Sequence, residues 1–215
     1  MPRDLHSRRA AKQDPSLIVV RGLYNRRMPL SPASRPGHWP LTMRDLLREI
    51  LANYALPWFG THGVSHWARV LETGLRLAPG TGANPQVIQL FAVLHDSKRI
   101  NEGIDPDHGR RAADYAARLR GSLMHLINSD FDLLYHACAC HTDGLTTGDR
   151  TVQTCWDSDR LDLGRVDITP IAEYLCTEAA KETVILAWAE GRSRSRLVPE
   201  LIYSEWGLVK ADRNI

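Results

Sequence analysis

Two adjacent polar side chains end an otherwise apolar segment near the middle of the sequence. The segment runs from Leu90 to Leu94 and is followed directly by His95 and Asp96. Polar groups at the end of a buried helix need a partner, and the C-terminal end of a helix attracts cations. We therefore expect a metal ion here, with the imidazole and the carboxylate as two of its ligands.

Further histidine and aspartate side chains are predicted to face inward from four other helical segments. Taken alone, each histidine is more often a hydrogen-bonded core or surface residue than a ligand. For His108 and His141 the alternatives are helix-capping and loop roles. Together the residues form a mixed imidazole and carboxylate set, which suits a divalent ion such as Mn, Fe, Mg, Ni or Zn. The predicted ligands are His66, His95, Asp96 and Asp159 for a first ion, with His108 and His141 for a second ion bridged by Asp96.

The cysteines offer a less favoured alternative, a structural zinc site on Cys138, Cys140, His141 and Cys155. Cys138 and Cys140 are predicted on largely opposing faces of one helix, which disfavours a shared ion. The chain has 4 cysteines, and their spacing is not that of a small secreted disulfide framework. We expect reduced thiols in a cytoplasmic protein.

Apolar periodicity predicts that helices position these residues. No convincing series of strands is found, so the predicted fold class is all-α. One predicted helix turns Asp159 inward and Asp157 away, and the C-terminal residues Leu201, Ile202 and Trp206 are expected to pack back as a cover. The predicted helices run from Thr42 to before Pro57, Thr61 to about Ala78, Pro85 to Asp96, from Asp105 and Pro106 onward, Asp130 to His141, Thr151 to about Gly164, and Ile171 to Glu190.

Composition divides the chain into an arm and one helical domain. Residues 1–41 are basic and rich in Pro and Arg, which predicts a flexible extension; a start site assigned too early and a basic docking arm are the alternatives. Residues 42–215 form the predicted domain, with a motif core at 61–162 and C-terminal helices at 171–215. The net charge of +2 makes nucleic acid an improbable partner, and no apolar run reaches the roughly 20 residues that a membrane helix needs.

The ordered ligands resemble a known family. His66 lies in HWARV, His95 and Asp96 end AVLHD, and Asp159 begins DRLD. This pattern resembles the HD-domain superfamily of metal-dependent phosphohydrolases over roughly residues 61–162, about half of the chain. The resemblance implies a helical fold in which His66, His95, Asp96 and Asp159 hold the metal. Some members add two histidines for a second ion, which His108 and His141 would match.

The chain lacks the signature residues of three better known branches of this superfamily, which argues against the substrates of those branches. Ser97, Lys98 and Arg99 follow the His-Asp pair, where guanosine tetraphosphate hydrolases have paired acids. The segment HTDGLTTGD lacks the Gly-Tyr-Pro signature of cyclic di-GMP phosphodiesterases, and the histidine-rich loops of deoxynucleoside triphosphate hydrolases are absent. We expect a stand-alone HD-type protein that acts on a nucleotide or another small phosphorylated metabolite.

The predicted activity is phosphoester hydrolysis by a water that the metal activates. Positive charge near the ligands would neutralise the phosphate, with a solvated surface role as the alternative for each cation. His62 is expected to line the pocket or to lie at the surface. Glu102 and Asp143 are candidates for outer-sphere or proton-transfer roles. The assigned residues are Asp96, Lys98 and Arg99 for catalysis, and Arg69 and Arg160 for substrate phosphate.

Two other function classes stay open from the sequence. The same helical scaffold supports a di-iron oxygenase in some HD-type proteins, which would need both ions and a redox-active metal. A catalytically silent domain that binds metal or nucleotide for regulation is the other possibility, although the complete ligand set argues mildly against it.

Overall fold

The computed structural model describes residues 42–209, so the predicted arm at residues 1–41 lies outside the described residues. Within 42–209 the chain forms α-helices and short 3-10 helices, and apart from a single bridge between Arg120 and Met124 no β-structure occurs. The fold class is therefore all-α, as predicted. No helix in this part of the chain combines the length and the apolar character needed to cross a membrane. The α-helices are α1 (Met43–Ala52), α2 (Val64–Thr81), α3 (Pro85–Leu94), α4 (His108–Leu119), α5 (Asn128–Cys140), α6 (Arg150–Arg160), α7 (Glu178–Lys181), α8 (Thr183–Arg194) and α9 (Leu201–Ser204).

Helix α3 is the centre of the fold. Asn84 caps its N-terminus by accepting a hydrogen bond from the amide of Gln86, and Pro85 occupies the first turn, where a missing N–H costs nothing. Its side chains are buried nearly all round, including Phe91 at 0% exposure, and it packs against α2, α5 and α6. The helix ends at Leu94, so the His-Asp pair begins the next turn.

Helix α2 begins and ends about three residues later than predicted. It was expected from Thr61 to about Ala78, but it runs from Val64 through Pro79 to Thr81. Pro79 removes one backbone donor without ending the helix, and in the same last turn the Thr81 hydroxyl donates to the carbonyl of Leu77. Gly82, at φ 71°, then ends the helix in the left-handed conformation that glycine adopts without strain.

Helix α4 begins later than predicted. Asp105 and Pro106 were expected to open it, but the first helical residue is His108. The Asp105 carboxylate instead accepts hydrogen bonds from the amide of Ile100 and from Arg111. It therefore fixes the loop that follows α3 rather than capping a helix.

Helices α4 and α5 approach each other closely at Gly109. A Cβ atom at this position would lie 2.5 Å from the carbonyl oxygen of Cys138 and 3.0 Å from Nδ1 of His141. Only glycine fits this gap without a shift of the backbone. The close approach places the first residue of α4 beside the last residues of α5.

The single long helix predicted over Ile171 to Glu190 is wrong. This region contains a 3-10 turn at Ala172–Tyr174, then α7 and α8. Asp157 was expected to face away from the core, but it is buried. The break arises because its carboxylate accepts hydrogen bonds from the amides of Cys176 and Thr177 and from the Thr177 hydroxyl. Thr177 in turn caps α7. A contact between distant parts of the chain thus overrides the local helical pattern.

The C-terminal segment covers the helices, as predicted. Ile202 and Trp206 are buried, at 0% and 3% exposure. Arg44 on α1 donates hydrogen bonds to the carbonyls of Ser204 and Glu205, which ties this segment to the start of the domain. The predicted helix ending near Gly164 stops at Arg160 and is followed by a 3-10 turn at Leu163–Val166.

Candidate metal centre

The structure brings the six predicted ligands to one buried place. They come from the ends or inner faces of five different helices, and two sets of three have ligand atoms close enough to hold a metal ion. The sets share one carboxylate. The first group is His66, His95 and Asp96, and the second group is Asp96, His108 and His141.

In the first group, three side chains surround one point. Nε2 of His66 lies 3.0 Å from Nε2 of His95 and 3.5 Å from Oδ2 of Asp96. Oδ1 of Asp159 lies 3.3 Å from Nε2 of His66 and 3.7 Å from Nε2 of His95. This oxygen is buried and has no hydrogen-bond partner. Asp159 therefore offers a fourth ligand atom to the first group.

The second group uses the other carboxylate oxygen. Oδ1 of Asp96 lies 3.0 Å from Nε2 of His108 and 3.7 Å from Nε2 of His141. The two imidazole Nε2 atoms are 2.8 Å apart. One carboxylate thus faces both groups, with Oδ2 toward the first and Oδ1 toward the second, as a bridging ligand would.

All four histidines are oriented through their other ring nitrogen. Nδ1 of His66 contacts the Asp162 carboxylate at 2.7 Å, and Nδ1 of His95 contacts the carbonyl of Phe91 at 3.1 Å. In the second group the partners are also carbonyls, that of Asp105 for His108 and that of Cys138 for His141. Carbonyl and carboxylate oxygens only accept, so Nδ1 carries the hydrogen in each ring and Nε2 presents a lone pair.

The Nε2 atoms consequently meet as pairs of acceptors. Two lone pairs at 3.0 Å and at 2.8 Å repel each other unless a positive species lies between them, either a proton or a metal ion. The adjacent carboxylates favour the same charge. The donor set of four imidazoles and two carboxylates therefore fits divalent ions.

The electrostatics of the cluster agree with this geometry. Burial favours the neutral form of His66, but its hydrogen bonds to carboxylates outweigh this and raise its pKa to about 9. Burial lowers the pKa of His95 to about 3, so one imidazole of the pair holds a proton and the other accepts it. The pKa values of Asp96 and Asp159 fall well below their ordinary range, because neighbouring imidazoles overcome the cost of burial. Both carboxylates are ionised.

An outer layer that the sequence did not reveal supports the first group. Asp162 accepts hydrogen bonds from Arg69 at 2.7 and 2.9 Å while it holds His66. Arg165 lies 3.8 Å from Oδ1 of Asp159. Asp162 and Arg165 follow Asp159 at intervals of three residues, a spacing that keeps side chains on one helical face. This spacing was the signal available in the sequence.

His62 is buried at the centre rather than lying at the surface, at 7% exposure. Its Nδ1 donates to Oδ2 of Asp96 at 2.8 Å, and its Nε2 lies 3.9 Å from the carboxylate of Glu102. Glu102 has 37% of its side chain exposed. These two residues lead from the shared carboxylate toward solvent.

The predicted cations lie in different surroundings. Arg99 is at the site, 3.6 Å from Oδ1 of Asp96, and also donates to carbonyls of the following loop. Lys98 instead donates to the carbonyl of Asn53 and lies over the ring of Tyr115. Arg69 is bound to Asp162.

Two further candidates have contacts elsewhere. Arg160 donates to the carbonyls of Tyr174 and Leu145 at the outer side of α6. Asp143 lies in the exposed loop after α5, where its amide donates to the carbonyl of Cys140. The structure therefore does not bring Arg160 or Asp143 to the cluster.

The cysteines take no part in either group. Among residues 42–209, the sets of side chains close enough to hold an ion contain only His and Asp. All four cysteines are free, and burial raises the pKa of the Cys138 and Cys155 thiols. Since a thiol must lose its proton to bind zinc, the arrangement does not favour the alternative zinc site.

Comparisons of the chain with protein-family models, with curated proteins and with solved structures found no significant match. The HD-type resemblance is therefore carried by the ordered residues alone and stays a prediction. The geometry shows a buried cluster of histidines and aspartates that could hold a metal ion.

Proposed function

We propose that this protein is a metal-dependent phosphohydrolase that uses two divalent ions sharing Asp96 and acts on a small phosphorylated substrate. One observation carries the proposal. Four imidazoles, each fixed through Nδ1, direct their Nε2 atoms in facing pairs at the two oxygens of one buried carboxylate. A bridging carboxylate between two ions is an arrangement suited to phosphoester hydrolysis.

Bound ions would supply a water of lowered pKa and would polarise a phosphoryl oxygen. The residues of the chain hold the geometry. Asp162 fixes the ring of His66, and backbone carbonyls fix His108 and His141, so that little reorganisation is needed when ligands bind. Burial of the cluster excludes bulk water and strengthens the electrostatic interactions inside it.

His62 and Glu102 provide a route for protons. The Nδ1 proton of His62 is held by Oδ2 of Asp96, and its Nε2 faces the partly exposed carboxylate of Glu102. A proton released at the centre, or needed by the leaving alkoxide, can pass along this pair. The four free thiols suit the cytoplasm as the proposed location.

Metal analysis of the purified protein, combined with a panel of phosphomonoesters and phosphodiesters, tests the proposal. We expect up to two divalent ions per chain and hydrolysis of at least one ester class, with the ion of the first group and the hydrolysis lost in His95→Ala. The matched control is His136→Ala, an exposed histidine on α5 outside both groups. A wild-type protein without metal, or with no ester hydrolysis beyond that of His95→Ala, would contradict the proposal. Two irons with oxygen consumption would identify the oxygenase instead.

A further inference from the structure

A small cavity adjoins the first group. Its volume is about 320 Å³, near the lower end of the roughly 300–1,000 Å³ found for small-molecule sites. The wall contains three arginines and the hydroxyl-bearing residues Thr61 and Ser65, and it includes no acidic residue. An opening with this lining suits an anion.

Arg165 links the cavity to the metal centre. It is 6% exposed and lines the cavity, and its Nη2 lies 3.8 Å from Oδ1 of Asp159 and 3.5 Å from Nδ1 of His62. Its Nη1 donates to the carbonyl of Asp162. Nε is buried and has no hydrogen-bond partner. A buried guanidinium donor without a partner is costly unless a ligand accepts from it.

Arg69, in the same wall, has a different role. Its Nε and Nη2 donate to the Asp162 carboxylate, and its Nη1 donates to the carbonyl of Leu197 at 2.7 Å. The positive charge of Arg69 is thus already paired, and its donors are used within the protein. Arg69 builds the wall, whereas Arg165 has capacity left for a ligand.

Arg196 is the third arginine, and its backbone is strained. It follows α8 at φ 50°, in the left-handed conformation that glycine usually supplies after a helix. Its amide donates to the carbonyl of Ser193, and the next amide donates to that of Arg192, which closes the helix end. In the described residues no carboxylate pairs with the Arg196 side chain. An arginine side chain that costs conformational energy and makes no ion pair among residues 42–209 has its charge available for a ligand.

We propose that this cavity binds the dianionic phosphoryl group of a small phosphate monoester, with Arg165 and Arg196 as its donors. The Arg196 guanidinium, which has no carboxylate partner among the described residues, and the free Nε donor of Arg165 suit the double charge of a monoester better than the single charge of a diester. The volume admits a compact molecule. That the bound phosphoryl group is also the reacting group rests on the proposed function, whereas the anion site itself does not.

Calorimetric titration of the chelator-treated, metal-free protein tests the anion site without turnover. Methylphosphonate represents a monoester dianion, and dimethyl phosphate represents a diester. We expect methylphosphonate to bind at least tenfold more tightly than dimethyl phosphate, and its affinity to fall at least tenfold in Arg165→Gln. Arg165→Lys keeps the charge and should retain part of the binding. Equal affinity for the two probes, or no loss in Arg165→Gln, would overturn the proposal.

Arg196→Gly gives a second, independent readout with effects of opposite sign. Glycine relieves the strained backbone, so the melting temperature should rise while methylphosphonate binding falls several-fold. Asp167→Gly is the matched control, because Asp167 has a similar backbone at φ 62° and lies outside the cavity wall. It should raise the melting temperature and leave binding unchanged. An Arg196→Gly variant that binds methylphosphonate like the wild type would overturn the role of Arg196.

The two proposals fail separately. Methylphosphonate binding that depends on Arg165, in a protein whose metal-loaded form hydrolyses no ester, would support the anion site and contradict the hydrolase function. Methylphosphonate affinity that is unchanged in both Arg165→Gln and Arg196→Gly, in a protein that hydrolyses an ester, would overturn the anion site and leave the hydrolase function standing.

Discussion

The two ligand groups that share Asp96 are held in different ways. In the first group, His66 is fixed by the Asp162 carboxylate, and Asp159 adds a further negative charge. In the second group both histidines are fixed by neutral backbone carbonyls, and among residues 42–209 Asp96 is the one carboxylate grouped with them. A carboxylate behind a histidine raises the basicity of that ligand. The first group should therefore bind its ion more tightly than the second, and the two ions should be taken up in sequence.

The largest effect is expected from Asp96→Asn, which removes the charge that both groups share. Metal content should fall to background. Ions contribute several kcal/mol of transition-state stabilisation, so hydrolysis should fall by about 10³-fold or more. Elemental analysis and the ester assay measure the two losses. Asp157→Asn is the control, because Asp157 is equally buried but holds Thr177, and its metal content should not change. Retention of both ions in Asp96→Asn would refute a bridging role.

A substitution in each group separately tests the predicted order of affinity. His141→Gln should lose the second ion and keep the first, so that about one ion per chain remains after dialysis. His66→Gln removes a ligand of the tighter site and should retain less metal than His141→Gln. Metal content measured on both variants under one free metal concentration gives the answer. Equal losses would show that the two groups do not differ.

Asp162→Asn tests whether the outer carboxylate is the cause of the difference. The amide still accepts a hydrogen bond but lacks the charge, so affinity for the first ion should fall by roughly 10–100-fold. Asp105→Asn serves as the control, since its side chain fixes Arg111 while His108 is held by the Asp105 backbone carbonyl. Metal-binding titrations with a competing chelator would show the change. Affinity unchanged in Asp162→Asn would assign the difference to Asp159 instead.

The smallest effect, about tenfold, is expected from a change of one pH unit. The pKa of His66 is raised to about 9, so His66 is protonated at neutral pH and an ion must displace that proton. Affinity for the first ion should therefore rise by about tenfold per pH unit up to pH 9 and then level off. Calorimetry in buffers of different ionisation enthalpy should detect the released proton. Metal affinity that is constant from pH 7 to 9 would contradict the assigned proton.

The residues that gather in the buried cluster could be predicted from the sequence, whereas part of their environment could not. Asp159 falls in register with apolar residues, His95 follows a helix that is apolar on nearly every side, and His66 lies on a face adjacent to an apolar stripe. Arg160 was chosen because it follows Asp159 in the chain, but adjacent helical residues point about 100° apart. Arg165 was missed because a 3-10 turn returns it to the centre after α6 has ended.

The C-terminal region shows a second limit of prediction from sequence. The sequence of this region has helical periodicity. However, the Thr177 hydroxyl donates a hydrogen bond to the Asp157 carboxylate, 20 residues earlier in the chain, and this contact breaks the helix. The capping side chain was visible as Thr177 before Glu178, a local start signal. Nothing local indicated its distant partner. Hydrophobic periodicity therefore does not predict long-range hydrogen bonds to buried carboxylates.

Gly109 has a consequence for how the protein acquires its metal. The contact of α4 with α5 at this glycine sets His108 beside His141 through backbone packing, and the surrounding core of Trp67, Phe91 and Trp156 contains no ligand. Unlike small zinc domains, which fold only when the ion arrives, this chain can complete its folding first. A newly synthesised molecule would then await its ions in a finished state, and the metal supply, rather than the folding reaction, would decide which element it carries.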